Sequence, residues 1–116
     1  MKPSHKKVKG AVAEREFAKM LVFSGLDKYA KRMPLSGAVK GLDSDIWTKL
    51  PFMFEVKNQE TWKPLEYYRQ ANDANPNKGH YRTVVIMTKN HEGYYAFLSV
   101  EDFLELIYFA LKGGLK

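Results

Sequence analysis

The chain has 116 residues, a formal net charge of +6, 45% hydrophobic and 14% aromatic residues, and no cysteine. That length holds one domain around a single core, and the absence of cysteine excludes disulfides and thiolate metal sites. No apolar run approaches the roughly 18 residues of a membrane span, and Met1-Lys2-Pro3-Ser4-His5-Lys6-Lys7 leads into no apolar signal core, so a cytoplasmic protein away from any membrane is expected.

The charge is uneven. Residues 1–40 carry ten Lys or Arg against three acids, and residues 41–116 carry nine against ten. Residues 1–8 read as a flexible basic segment preceding a domain over 9–116. Its Lys2, Lys6 and Lys7, with Lys9, can neutralise phosphates and release counterions, or can simply be a solvated tail; charge alone does not separate the two.

In chain order, residues 9–24 read as a helix: Val12, Phe17, Met20 and Leu21 recur on one side, alanines favour helix, and Gly25 is a stop. Tyr29 to Leu35 reads as a strand ending in the turn Ser36-Gly37-Ala38, and a second strand is expected near Asp45 to Thr48. Phe52, Phe54 and Val56 alternate with Met53, Glu55 and Lys57, which sets an apolar face on the core and the charged pair on the other side. The short interval from Lys49 predicts an antiparallel hairpin between these strands. Pro64 starts a helix through Ala71, and Asn75-Pro76-Asn77-Lys78-Gly79 ends it. Thr83 to Met87 reads as a buried strand and Tyr94 to Leu98 as another, before a final helix capped by Ser99, with Phe103, Ile107 and Leu111 on one stripe. The expected architecture is α/β, a mixed five-stranded sheet flanked by helices.

Asp45 beside Glu55-Val56-Lys57 carries the chemistry. With Asp45 on one strand and Glu55 and Lys57 on one face of its neighbour, two carboxylates and an ammonium converge. This is a donor set for a hard divalent cation next to a phosphodiester. A lone Glu-x-Lys carries no weight, and singly Glu14 is an ordinary helix salt-bridge partner, Ser36 a turn residue and Gln70 a solvent-facing amide. His5, His80 and His91 lack metal-ligand spacing. Trp62, Tyr67 and Tyr68 read as packing aromatics, with stacking on exposed bases the rival role.

In that order, Lys9-Gly10-Ala11-Val12-Ala13-Glu14-Arg15, Ser36-Gly37, Asp45-Ile46 and Glu55-Val56-Lys57 resemble the elements of the PD-(D/E)XK nuclease superfamily. Within it the chain is similar to the small archaeal and phage Holliday-junction resolvases. Ser44 stands where proline is usual, and the Asp45 to Glu55 interval is short, which leaves Asp43 as an alternative to Asp45. The resemblance implies a restriction-endonuclease-like core and Mg²⁺, with Mn²⁺ as a substitute, on Asp45, Glu55, the Val56 carbonyl and Glu14. Lys57 would orient the attacking water or stabilise phosphoryl charge, Ser36 would bind phosphate, and Gln70 would line the site. Lys2, Lys6, Lys7, Lys9, Arg15, Arg32 and Lys40 would hold DNA. It further implies a homodimer cutting four-way junctions by paired nicks, in the host cytoplasm if phage-encoded, with no small-molecule substrate. Leu104, Tyr108 and Phe109, or the Phe52 to Phe54 region, are candidate dimer surfaces. A flap, nick or duplex substrate, or a non-catalytic binding module of the same fold, are the rival readings.

Overall fold

In the computed structural model, which describes residues 5–33, 45–90 and 92–113 with side chains from residue 9 onward, the chain opens on helix α1 (His5–Phe23). The helix starts upstream of residue 9, inside the segment read as a basic tail. Its buried residues are Ala13, Phe17, Ala18 and Leu21, while Val12 and Met20 are exposed. The stripe is thus rotated from the expected one, because Ala13, Phe17 and Leu21 recur every four residues and small alanines let the helix approach the sheet. Gly25 ends it as expected, at φ 81°, the left-handed region that only glycine enters freely.

Among the described residues five strands follow, and they do not form one sheet. Strand β1 (Lys31–Arg32) pairs antiparallel with β2 (Ile46–Trp47), Arg32 opposite Ile46. Strand β3 (Phe52–Asn58) pairs in parallel with β4 (Arg82–Thr88), and β4 pairs antiparallel with β5 (Tyr94–Phe97). The expected five-stranded sheet is therefore a pair and a triplet, and the expected β2–β3 hairpin ladder is not formed among the described residues.

Asp27 explains the break. Its carboxylate, almost wholly buried, accepts from Thr48 Oγ1 at 2.6 Å, from the Lys49 N–H at 2.9 Å and from the Tyr29 N–H at 3.0 Å. The chain leaving β2 is bent onto the turn after α1 before it can lie along β3. The two sheets are still bridged by the backbone, the Asp45 N–H donating to the Phe54 carbonyl at 3.0 Å.

The β3–β4–β5 sheet is covered on both faces. Phe54, Val56, Val84 and Ile86 pack with Ala13, Phe17 and Leu21 of α1, and Phe17 meets Phe54 edge-on at 4.9 Å. Each of the Val, Leu, Ile and Phe side chains among these contributes about 1.5–3 kcal/mol by burial. On the other face Val85 and Met87 pack with Tyr67 of α2 (Pro64–Ala74). This face also carries Glu55 and Lys57, which stand opposite Val85 and Met87 in register.

Helix α3 (Val100–Lys112) is capped by Ser99, whose Oγ accepts from the Asp102 N–H at 3.1 Å. No residue on it is buried, and Phe103, Ile107 and Leu111, expected to face the core, are exposed. Arg82, at the start of β4, ties it to the body, pairing with Asp102 and Glu105 and lying over the Phe109 ring. No helix among the described residues is long and apolar enough to cross a membrane.

Candidate active site

Asp45 sits where the two sheets meet. Its carbonyl accepts from the Met33 N–H at 2.9 Å, its own N–H reaches Phe54, and its Oδ2 accepts from the Val56 N–H at 2.7 Å. The carboxylate is thereby held against the middle of Glu55-Val56-Lys57, with 8% of the residue exposed. Asp43 and Ser44 lie outside the described residues.

The period-2 geometry of β3 sends Val56 into the α1 core and points Glu55 and Lys57 the other way, where Lys57 Nζ lies 3.5 Å from Glu55 Oε1. Lys57 also lies over the Tyr67 ring, 5.3 Å from its centroid. Tyr67 in turn donates its hydroxyl to Gln59 Oε1. An ammonium on an aromatic face and beside a carboxylate is fixed in direction.

Burial first, and the Asp45 carboxylate second, push Glu55 up to about 7 from its ordinary 4.5, with Lys57 pulling back. Glu14 is raised too, again by burial and then by Asp45. Its Oε2 accepts from Arg32 Nε at 2.8 Å, which spans α1 and β1. Three carboxylates thus share one field with Lys57 and Arg32 as neighbouring cations.

Among the described residues no three His, Cys, Asp or Glu side chains converge closely enough to hold an ion together. The donor set still fits a hard divalent cation: two carboxylates and the backbone of Val56 supply oxygen, and a positive ion would relieve the cost that raises Glu55.

The structure therefore brings together Glu14, Asp45, Glu55, Val56, Lys57 and Arg32. Arg32, expected on DNA phosphates, is the ion-pair partner of Glu14. Gln70 is exposed on α2, whose buried residues are Tyr67 and Ala71. Arg15 is exposed on α1, and Lys9 pairs with Glu60 at 3.8 Å. Lys2, Ser36, Lys40 and the side chains of Lys6 and Lys7 lie outside the described residues. Sequence reasoning missed the Tyr67–Gln59 pair behind Lys57; the signal was a tyrosine on the apolar side of α2 one turn from Lys63, legible only as packing.

An Asp just before a short strand, held against a Glu-x-Lys strand with an acid from the first helix in the same field, is the arrangement expected of a PD-(D/E)XK nuclease core. A family model described as "Phage putative PDDEXK endonuclease" matches residues 5–111, and the chain belongs to that family. It is an endonuclease of the PD-(D/E)XK type. No curated protein and no solved structure shows significant similarity to the chain.

Proposed function

We propose that this protein is a metal-dependent, structure-selective DNA endonuclease that resolves four-way junctions as a homodimer. The observation that carries metal dependence is the Asp45 carboxylate held on the Val56 N–H beside a Glu55 raised by burial and by that same carboxylate. A divalent cation bound by Asp45, Glu55 and the Val56 carbonyl would polarise the scissile phosphate and bring the pKa of a bound water towards neutrality. Lys57, oriented by Glu55 and the Tyr67 face, donates to the phosphoryl oxygens as charge grows there. Asp45 and Glu55 hold their charge in place through strand geometry. Glu14, raised by burial and by the Asp45 charge, is held by Arg32 beside these two carboxylates.

Junction selectivity is supported by the ordered resemblance of the opening helix, the acid and the Glu-Val-Lys strand to the small resolvases. The two-fold assembly is supported by α3, an apolar helix with nothing buried on it. Two symmetric cuts need two sites, and a two-fold axis supplies the second. The test is to incubate the protein and Mg²⁺ with a synthetic four-way junction, a flap, a nicked duplex and a linear duplex of matched sequence. Paired symmetric nicks confined to the junction are expected; equal cutting of the linear duplex would overturn junction selectivity, and cutting undiminished in a chelator would overturn metal dependence.

A further inference from the structure

Lys57 carries its ammonium on a flexible four-carbon stem, which by itself fixes no direction. The fold limits it from two sides. Glu55 Oε1 lies 3.5 Å from Nζ, and the Tyr67 ring lies beneath the ammonium with its centroid at 5.3 Å.

Tyr67 is held in turn by its own neighbours. Pro64 opens α2, and the Tyr67 N–H closes the first turn on the Lys63 carbonyl at 3.0 Å. The buried ring packs with Val85 and Met87, the β4 residues that stand opposite Glu55 and Lys57 in register. Its hydroxyl donates to Gln59 Oε1, with the Thr61 carbonyl as a second acceptor at 3.2 Å. Gln59 follows Lys57 by two residues, so strand alternation turns it to the same face. The Gln59 N–H reaches the Thr88 carbonyl at 3.3 Å, and Trp62 Nε1 donates to that same oxygen at 3.2 Å. The loop that carries both acceptors is thus pinned to the end of β4. A tyrosine suits this place because it offers a face to the cation and a polar end that is not buried without a partner.

We propose that Tyr67 and Gln59 are positioning residues for the cleavage step, acting through Lys57: Gln59 fixes the Tyr67 hydroxyl, and the Tyr67 face sets the direction of the Lys57 ammonium. The inference rests on the nuclease reading of the Glu-Val-Lys strand. A carboxylate alone would orient the ammonium by drawing it back along β3. The ring attracts it from a second direction and carries no net charge, so the ammonium keeps its full charge for the phosphoryl oxygens. The contribution is one of geometry at the reacting centre, and its loss appears in the rate of cleavage rather than in the affinity for DNA.

The test measures single-turnover cleavage of a labelled four-way junction and a linear duplex in Mg²⁺, beside the proton resonances of the Lys57 Cε methylene, which an aromatic ring beneath them moves upfield. Tyr67→Leu is expected to lower the saturating rate by about ten- to thirtyfold, leave the half-saturating protein concentration unchanged, and return the Lys57 resonances to their ordinary position. Tyr67→Phe keeps the face and loses the hydroxyl bond, and Gln59→Leu removes the acceptor. Both are expected to lower the rate only a few-fold and to retain most of the upfield shift. A Tyr67→Leu protein that cuts at the wild-type rate, or one whose loss of rate is fully matched by Tyr67→Phe, overturns the proposal, as does a wild-type Lys57 methylene with no upfield shift. If Tyr67→Leu does not fold, Gln59→Leu decides, and a wild-type rate with an unmoved Lys57 shift in that variant overturns it. A wild-type protein that cuts none of the DNAs while the Lys57 shift is present overturns the nuclease reading instead, and the positioning role falls with it.

Discussion

The backbone N–H of Val56 donates to Asp45 Oδ2 at 2.7 Å, across the seam between two sheets that share no ladder. A charge-assisted bond of this length is strong for its kind, and it ties the upstream acid to the centre of the Glu-x-Lys strand. The position of Asp45 is therefore set by a backbone donor on the neighbouring element, and its replacement has two separable effects.

Asp45→Asn keeps an acceptor for Val56 but removes the charge. Cleavage is expected to fall by about 10²–10³ with folding preserved, the size seen when one preorganised electrostatic group is lost. Asp45→Ala also leaves a buried N–H unpartnered and is expected to cost about 1–3 kcal/mol of stability. Single-turnover cleavage and urea unfolding on both variants separate the two; equal stability of Asn and Ala proteins would count against the bond's structural role.

Glu55 makes the metal-free protein sensitive to alkali. Its folded pKa is raised to about 7 from 4.5, so between those values the native state retains a proton that the unfolded chain has released. Stability then falls as pH rises through that window, by on the order of 2–3 kcal/mol, and levels off above it. Glu55→Gln is expected to abolish the slope and to be the more stable protein at pH 8 without metal. Mg²⁺ is expected to restore wild-type stability there in proportion to its binding. Denaturant midpoints from pH 4 to 8, with and without Mg²⁺, check both.

Asp27 has the opposite sign. The Thr48 hydroxyl first, and the Lys49 N–H next, hold its carboxyl below the ordinary 3.8. It contributes stability that is complete above the unfolded pKa and is lost as pH falls through the lower folded value. Asn at this position offers one acceptor oxygen for three donors, so Asp27→Asn is expected to lower Tm at neutral pH and to match wild type near the acid end. Since Asp27 also bends the chain between β2 and β3, the variant should lose cleavage in Mg²⁺ more than its Tm change predicts. Circular dichroism melts at neutral and acid pH, beside cleavage rates, are the measurement.

Helix α3 exposes Val100, Phe103, Leu104, Ile107, Tyr108, Phe109 and Leu111, each at least 38% accessible. An apolar surface of this extent on one helix suits the core of a two-fold interface, for which stable examples bury about 800 Å² per partner. Sedimentation is expected to show a dimer that Leu104→Glu and Tyr108→Glu dissociate, with single nicks replacing paired ones on a junction. A monomer at every concentration would remove the two-fold assembly and leave the metal site untouched.

Much of this is legible in the amino-acid sequence alone. Local signals are carried by a few adjacent residues: Gly25 as the helix stop, Pro64 and Ser99 at helix starts, the β-branched run of β4, and the alternation that puts Glu55 and Lys57 on one face of β3. The family resemblance lay in the same short segments, and the family match over residues 5–111 bears it out at the level of a PD-(D/E)XK endonuclease.

What the amino-acid order determined by itself was thus the elements and the chemical inventory of the site, because periodicity, capping and motif spacing act over a few residues. Only the tertiary structure decided how they meet. Thr48 and Lys49 are bound by Asp27 where β2 ends, the Val56 N–H captures Asp45, Arg32 is claimed by Glu14, and Arg82 of β4 is met by the acids of α3. Each of these depends on residues 11 to 23 positions apart, and no local pattern encodes such a distance. The Asp45–Glu55–Lys57 constellation was written in the sequence; the hydrogen bond that holds its first member to the strand of the other two was made by folding.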